Sequence, residues 1–166
     1  MRIMNKLQNK LKKANKDNKG FSLVELIIVI AIMAILVGIV GTQVIPYLGK
    51  SKAAKDQQVL NSFSTAAVTA FSENAEKMPT TGTFTVDMYT GTYSADPEAV
   101  IVTSVKSSVG YDGIDKVKKQ FSSEAKTQAD DIELTFDVDN HKLTASIKYA
   151  SGATIKYEVK DVTATL

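Results

Sequence analysis

Cysteine is absent from this chain of 166 residues, and histidine occurs once. The first absence excludes a disulfide, thiol catalysis and cysteine-ligated zinc. A small domain without disulfides must be held by its core, by a metal or by self-association. The second excludes a histidine pair, whether as metal ligands or as a catalytic couple. His141 stands beside Asp139-Asn140, and these residue types predict a surface turn. Serine and threonine are plentiful, but no candidate base accompanies them, so no nucleophile and no active site can be argued. No internal repeat, low-complexity tract or Asn-x-Ser/Thr acceptor is present. Prolines number three, and each falls where the pattern predicts that a helix bends, ends or starts.

Charge is unevenly distributed. The chain carries a net +2, but residues 1–20 hold Arg2, Lys6, Lys10, Lys12, Lys13, Lys16 and Lys19 against Asp17 alone. That head is +6, leaving −4 for the rest. A basic block ahead of an apolar run is a targeting arrangement, and it keeps that end cytoplasmic. Nucleic-acid binding is the rival reading. It is disfavoured because the block is short, lacks aromatics and abuts a membrane-type segment. That segment, Phe21 to Ile45, carries Glu25 as its single charge. As a helix it would be roughly 37 Å long, against a hydrocarbon core of about 30 Å. Gly38 and Gly41, then Pro46, predict a bend or loosened stretch between about residues 38 and 49.

Beyond the apolar run the periodicity changes. Val59, Leu60, Phe63, Ala66, Ala67, Ala70 and Phe71 recur at helical spacing, which predicts an amphipathic helix ending before Met78-Pro79. Residues 83–89 alternate as a short strand. Asp96-Pro97-Glu98 reads as a helix start, with Asp96 capping and Pro97 at the first helical position. The β-branched run Ala99–Val105 is equally compatible with a strand. Residues 114–126 suggest a short helix carrying Val117 and Phe121. Three period-two runs follow: 132–138, 143–149 and 153–159. They are separated by turns at Asp139-Asn140 and Ser151-Gly152, so a three-stranded antiparallel meander with one buried face is expected. In that alternation Asp131 points outward. The expected fold is α+β: a long N-terminal helix, half in the membrane and half amphipathic, packed on a small antiparallel β-sheet head. The expected divisions are a basic leader at 1–20, an apolar helix at 21–48, an amphipathic half at 49–78 and the head at 79–166.

Gly20-Phe21-Ser22-Leu23-Val24-Glu25, with the unbroken apolar run that follows, resembles the processing site of type IV pilins and the related pseudopilins. The likeness is close over residues 16–45, and the cysteine-free chain resembles a major pilin without a disulfide-closed loop. The resemblance implies cleavage between Gly20 and Phe21 by a membrane-embedded prepilin peptidase, then N-methylation of Phe21. It also implies polymerisation through the apolar helix into a filament at the cell surface. A platform protein, an assembly ATPase and minor pilins would serve as partners, and membrane lipid would surround the helix before assembly. Glu25 needs separate explanation. A carboxylate inside an apolar helix costs about 2.5–3.5 kcal/mol, whereas a charge pair about 4 Å apart at an effective dielectric of about 20 gains roughly 4 kcal/mol. Cleavage would create such a partner, the amine of Phe21. The family precedent pairs it with the Glu of a neighbouring subunit. The alternative places Glu25, solvated, at the membrane interface.

Two features depart from the family pattern. Many members carry Pro where this chain has Thr42, with Pro46 four residues later. Members with a disulfide-closed C-terminal loop also differ from this chain. A pseudopilin of type II secretion or a minor pilin is the alternative function. A conventionally cleaved export signal would instead need a small-x-small site, and Val40-Gly41-Thr42 fits one poorly. No cofactor is expected. Asp137-Val138-Asp139-Asn140 lacks the Gly and the closing Glu of a calcium loop. Asp112, Asp115, Asp130 and Asp131 could join a calcium site of the kind some pseudopilins have.

Overall fold

A computed structural model describes residues 20–166, and residues 1–19 of the basic leader lie outside the described residues. Two compact units meet between Ile45 and Pro46. In the first, α1 spans Leu23–Ile39 and a π-helical segment spans Val40–Val44. Helix α2, Ile45–Glu73, belongs to the second unit from Pro46 onward and is followed by a 3-10 turn at Ala75–Lys77. Strand β1 is Thr83–Asp87, α3 is Glu98–Val109, α4 is Ile114–Lys118 and α5 is Ala125–Gln128. Strands β2 (Ala129–Asp137), β3 (Lys142–Tyr149) and β4 (Val162–Thr165) complete the chain. The four strands form one antiparallel sheet in the order β1-β2-β3-β4.

The second unit is built as an α+β layer pair. Helix α2 buries Ala53, Asp56, Leu60, Phe63, Ala67 and Ala70. The alternating steps of three and four hold these residues on one stripe. Facing it are Val86 of β1, Ile132, Leu134 and Phe136 of β2, and Leu143, Ala145 and Ile147 of β3, all in one hydrophobic cluster. Phe84 and Phe136, paired across β1 and β2, stack at 4.7 Å, and Phe71 of α2 stacks on Phe136 at 5.8 Å. Strand alternation and helical periodicity thus deliver their apolar faces to one core, the packing the sequence patterns require. The polar sheet face carries the Thr85–Thr135 hydroxyl contact at 3.3 Å and the Asp87–Lys148 ion pair at 2.9 Å.

Four local expectations are corrected. The third strand of the meander is not 153–159 but β4 at Val162–Thr165. Residues 153–159 keep an alternating burial pattern, yet several of their backbone groups bond to side chains instead of to the backbone of β3. Lys156 N and Tyr157 N donate to Glu124 Oε2 at 2.7 and 3.1 Å, Thr154 N donates to Gln128 Oε1 at 3.0 Å, and Val159 N donates to the Tyr149 hydroxyl at 3.4 Å. The segment instead packs against α2. A Cβ added at Gly49 would lie 2.3 Å from the Tyr157 ring, so glycine admits the ring there. Gly49→Ala is expected to cost about 1–3 kcal/mol by overpacking. Thermal unfolding of the full chain in detergent, followed by tyrosine circular dichroism, measures it. An unchanged melting temperature would show that the ring moves aside freely.

Residues 98–109 are helical despite their β-branched side chains, because Ile101 and Val105 one turn apart enter the core. Pro97 itself occupies the N-cap, and Asp96 makes no capping hydrogen bond. The helix stops at Gly110, whose φ of +74° suits glycine. The single helix expected over 114–126 is divided into α4 and α5, because Ser122 N and Ser123 N donate to the buried carboxylate of Asp56 at 2.7 and 2.8 Å. Finally, Asp131 lies on the polar side of the alternation yet is fully buried, not solvated. A register shift between Ala129 and Asp131 leaves Asp130 without an opposite residue on β3. From Asp131 onward the register is regular, with Asp131 opposite Lys148 and Ile132 opposite Ile147, so Asp131 is buried because the turn after β1 folds over it.

Candidate functional site

The residues singled out at the chain's start lie in the first unit. Gly20 and Phe21 precede α1 and are exposed, Phe21 by 89 %. Ser22 takes the extended backbone of an N-cap, and its hydroxyl accepts from Val24 N at 3.3 Å. Glu25, three residues on, returns the contact: its Oε2 accepts from Ser22 N at 2.8 Å. This reciprocal pair is a capping box, which satisfies two helix-end donors and places a negative charge at the positive end of the helix dipole. Ser22 N thus gives the Glu25 carboxylate a hydrogen-bond partner within its own helix. Ser22-x-x-Glu25 ahead of an apolar run is itself the sequence signature of a capping box. The signal was there to be read, and Ser22 is the residue it identifies.

From Leu23 onward the helix has no buried side chain. Every large hydrophobic residue that is exposed among the described residues lies between Phe21 and Leu48. A soluble domain does not leave such a stretch uncovered. Among the described residues one helix is long and apolar enough to cross a membrane, and this is its apolar part. Gly38, Gly41 and Pro46 fall around the π-helical segment Val40–Val44. Within it, Thr42 Oγ1 donates to the carbonyls of Gly38 and Ile39, both at 3.2 Å. Back-bonding of this kind competes for carbonyls and eases the helical ladder. Pro46 has no N–H for the carbonyl four residues earlier, and its ring crowds that position. A wider turn just before it relieves both problems.

Two buried carboxylates organise the second unit: Asp56, which sequence reasoning left unused, and Asp131, which it considered only for calcium. Asp56 accepts from Ser122 N, Ser123 N and the Ser122 hydroxyl. Its place four residues before Leu60 on the apolar stripe of α2 is the signal that could have marked it. Asp131 accepts from Thr90 N at 2.7 Å, the Thr90 hydroxyl at 2.6 Å, Tyr89 N at 2.9 Å and Ile132 N at 2.7 Å. It thereby closes the turn after β1. Burial, followed by the nearby Asp131 charge, pushes the Tyr89 hydroxyl well above its ordinary value. It stays protonated and donates to Tyr111 O at 2.9 Å. Three of the acidic residues considered for calcium are engaged separately. Asp131 holds backbone, Asp112 pairs with Lys116 at 2.9 Å, and Asp137 accepts from Asn140 within the hairpin turn. Among the described residues no three potential ligands gather into a metal site. A surface groove of about 810 Å³ between α2 and the α3–α4 region is lined by Gln58, Asn61, Thr65, Ser108, Tyr111 and Gln120, which include no acid–base pair.

Comparison with the curated proteins and with the solved structures gives no match. One family model matches, over residues 15–41: the prokaryotic N-terminal methylation motif. Its span takes in the end of the basic head, the Gly20–Phe21 junction, the Ser22–Glu25 capping box and α1. The motif indicates a structural subunit with a membrane-anchoring helix. Over residues 15–41 the chain thus carries the prokaryotic N-terminal methylation motif, which is the type IV pilin and prepilin signature.

Proposed function

We propose that this chain is the structural subunit of an extracellular type IV pilus. Prepilin peptidase cuts between Gly20 and Phe21 and methylates the nitrogen of Phe21. The mature subunit waits in the cytoplasmic membrane with its head outside. The assembly platform and its ATPase then draw it into a homopolymer at the cell surface, with minor pilins as co-subunits. The observation that supports this reading is the wholly uncovered apolar helix that begins within the motif, directly after the Gly20–Phe21 junction. Such a surface suits lipid first and the same helices of other copies afterwards.

Mass spectrometry of the mature protein tests the reading. A chain beginning at N-methylated Phe21 is expected, and one beginning near residue 42 would replace it with an ordinary exported protein. The alternative is a pseudopilin of type II secretion or a minor pilin, both processed identically. Electron microscopy after deletion of the gene separates these from the first reading. Loss of long surface filaments is expected for the main subunit, whereas filaments that persist support the alternative.

A further inference from the structure

Where the apolar run ends, the second unit presents a basic cavity. Tyr47 is 73 % exposed and Leu48 53 % exposed, and Lys50 follows about 3 Å further along the helix axis. Lys50 and Gln57 of α2 form one wall of a surface cavity of about 500 Å³. Lys156, Tyr157, Glu158 and Lys160, from the segment between β3 and β4, form the other. That segment is held in place. Glu124 receives two of its amides, and the Tyr157 ring lies against the backbone of Gly49. Lys156 Nζ sits 5.4 Å from the centre of the same ring. Among the described residues the ion pairs involve only Lys77, Lys116 and Lys148. The three cavity lysines therefore have no carboxylate partner there, and Glu158 is the one acid in the lining.

We infer that this cavity seats the phosphate of an anionic phospholipid in the leaflet from which the helix emerges. The inference rests on the membrane-anchored reading above. Three ammonium groups around a pocket match a phosphodiester, and basic residues at a membrane surface favour anionic lipid by about fivefold each. Tyr47 and Leu48 lie at the depth where the glycerol and upper acyl chains would run, and tyrosine is characteristic of that layer. The seat adds lipid selectivity to an anchor that the apolar helix alone would leave indifferent to headgroup.

The test uses the full mature chain in nanodiscs of phosphatidylcholine, alone or mixed with phosphatidylglycerol. Amine labelling is read lysine by lysine by mass spectrometry. Phosphatidylglycerol is expected to slow labelling of Lys50, Lys156 and Lys160 by about fivefold, while Lys52 on the same helix and Lys142 at the hairpin change little. Millimolar inorganic phosphate in phosphatidylcholine discs should protect none of them. A combined Lys50→Gln, Lys156→Gln, Lys160→Gln chain should lose its preference for retaining phosphatidylglycerol on detergent extraction. Equal labelling in both disc types overturns the inference. So does equal protection at Lys52, which would mean diffuse attraction, or protection by phosphate alone, which would mean a soluble-anion site. Failure of the chain to enter discs at all would instead sink the anchoring reading.

Discussion

Glu25→Ala is expected to yield a chain that is cut after Gly20 and retained in the membrane but that builds few filaments. The carboxylate has one use in the structure and a second under the proposed function. In the chain as it stands, it accepts from Ser22 N and caps α1, a contribution of about 0.5–2 kcal/mol to the helix start. The proposed cleavage would place it one turn from a new amine, and α-amino groups are largely protonated near neutral pH. Pairing at about 4 Å with an effective dielectric of about 20 is worth roughly 4 kcal/mol, about a thousandfold in association. Loss of the pairing therefore outweighs loss of the cap. Glu25→Gln distinguishes the two uses, because its amide oxygen still accepts from Ser22 N but carries no charge. Both variants should be processed and membrane-bound by fractionation and immunoblot, and both should give sheared-filament yields far below the parent. Normal filament number and length in Glu25→Ala would remove the pairing role. Normal filaments in Glu25→Gln alone would assign the whole effect to the cap.

The second large effect is on the head. Asp131→Ala strips the acceptor from three backbone amides and one hydroxyl at the turn after β1. Each buried donor left without a partner costs about 1–3 kcal/mol, before local relaxation admits water. A net loss of about 3–5 kcal/mol is expected, which is exceptional for a single substitution. In a domain of this size it corresponds to a fall in melting temperature of roughly 10 °C or more. Asp131→Asn keeps one acceptor oxygen and should fall between the parent and the Ala variant. Tyrosine circular dichroism of the full chain in detergent reports on the head, since tyrosines surround this turn and α1 contains none. A melting temperature within a degree of the parent's for Asp131→Ala would mean that the turn is held by other contacts.

Much of the architecture was legible in the order of residues, for a definable reason. An unbroken apolar run, a stripe at helical spacing and two alternating runs joined by Asp139-Asn140 each encode local geometry and the face to be covered. Helix α1, the buried stripe of α2 and the β2–β3 hairpin follow from these patterns. The processing motif is equally local, a contiguous string whose residues need no partner from elsewhere in the chain. Even the capping box was present as Ser22 and Glu25 three apart.

What the sequence could not decide was where its carboxylates and spare amides would meet. Glu124 and Asp131 look no different in sequence from solvated acids, and Asp56 is marked only by its place on the apolar stripe of α2. Each accepts main-chain amides: Asp56 from residues 66 and 67 positions away, Glu124 from 32 and 33, and Asp131 chiefly from 41 and 42. Those long-range bonds divide α4 from α5 and close the turn after β1. They also hold 153–159 against α2 and leave β4 to complete the sheet. The sequence by itself determined which surfaces had to be buried and where the anchor lay, because periodicity and apolar length are local quantities. The tertiary structure alone decided which irregular segments the buried acids hold, because a hydrogen bond across the fold has no signature along the chain.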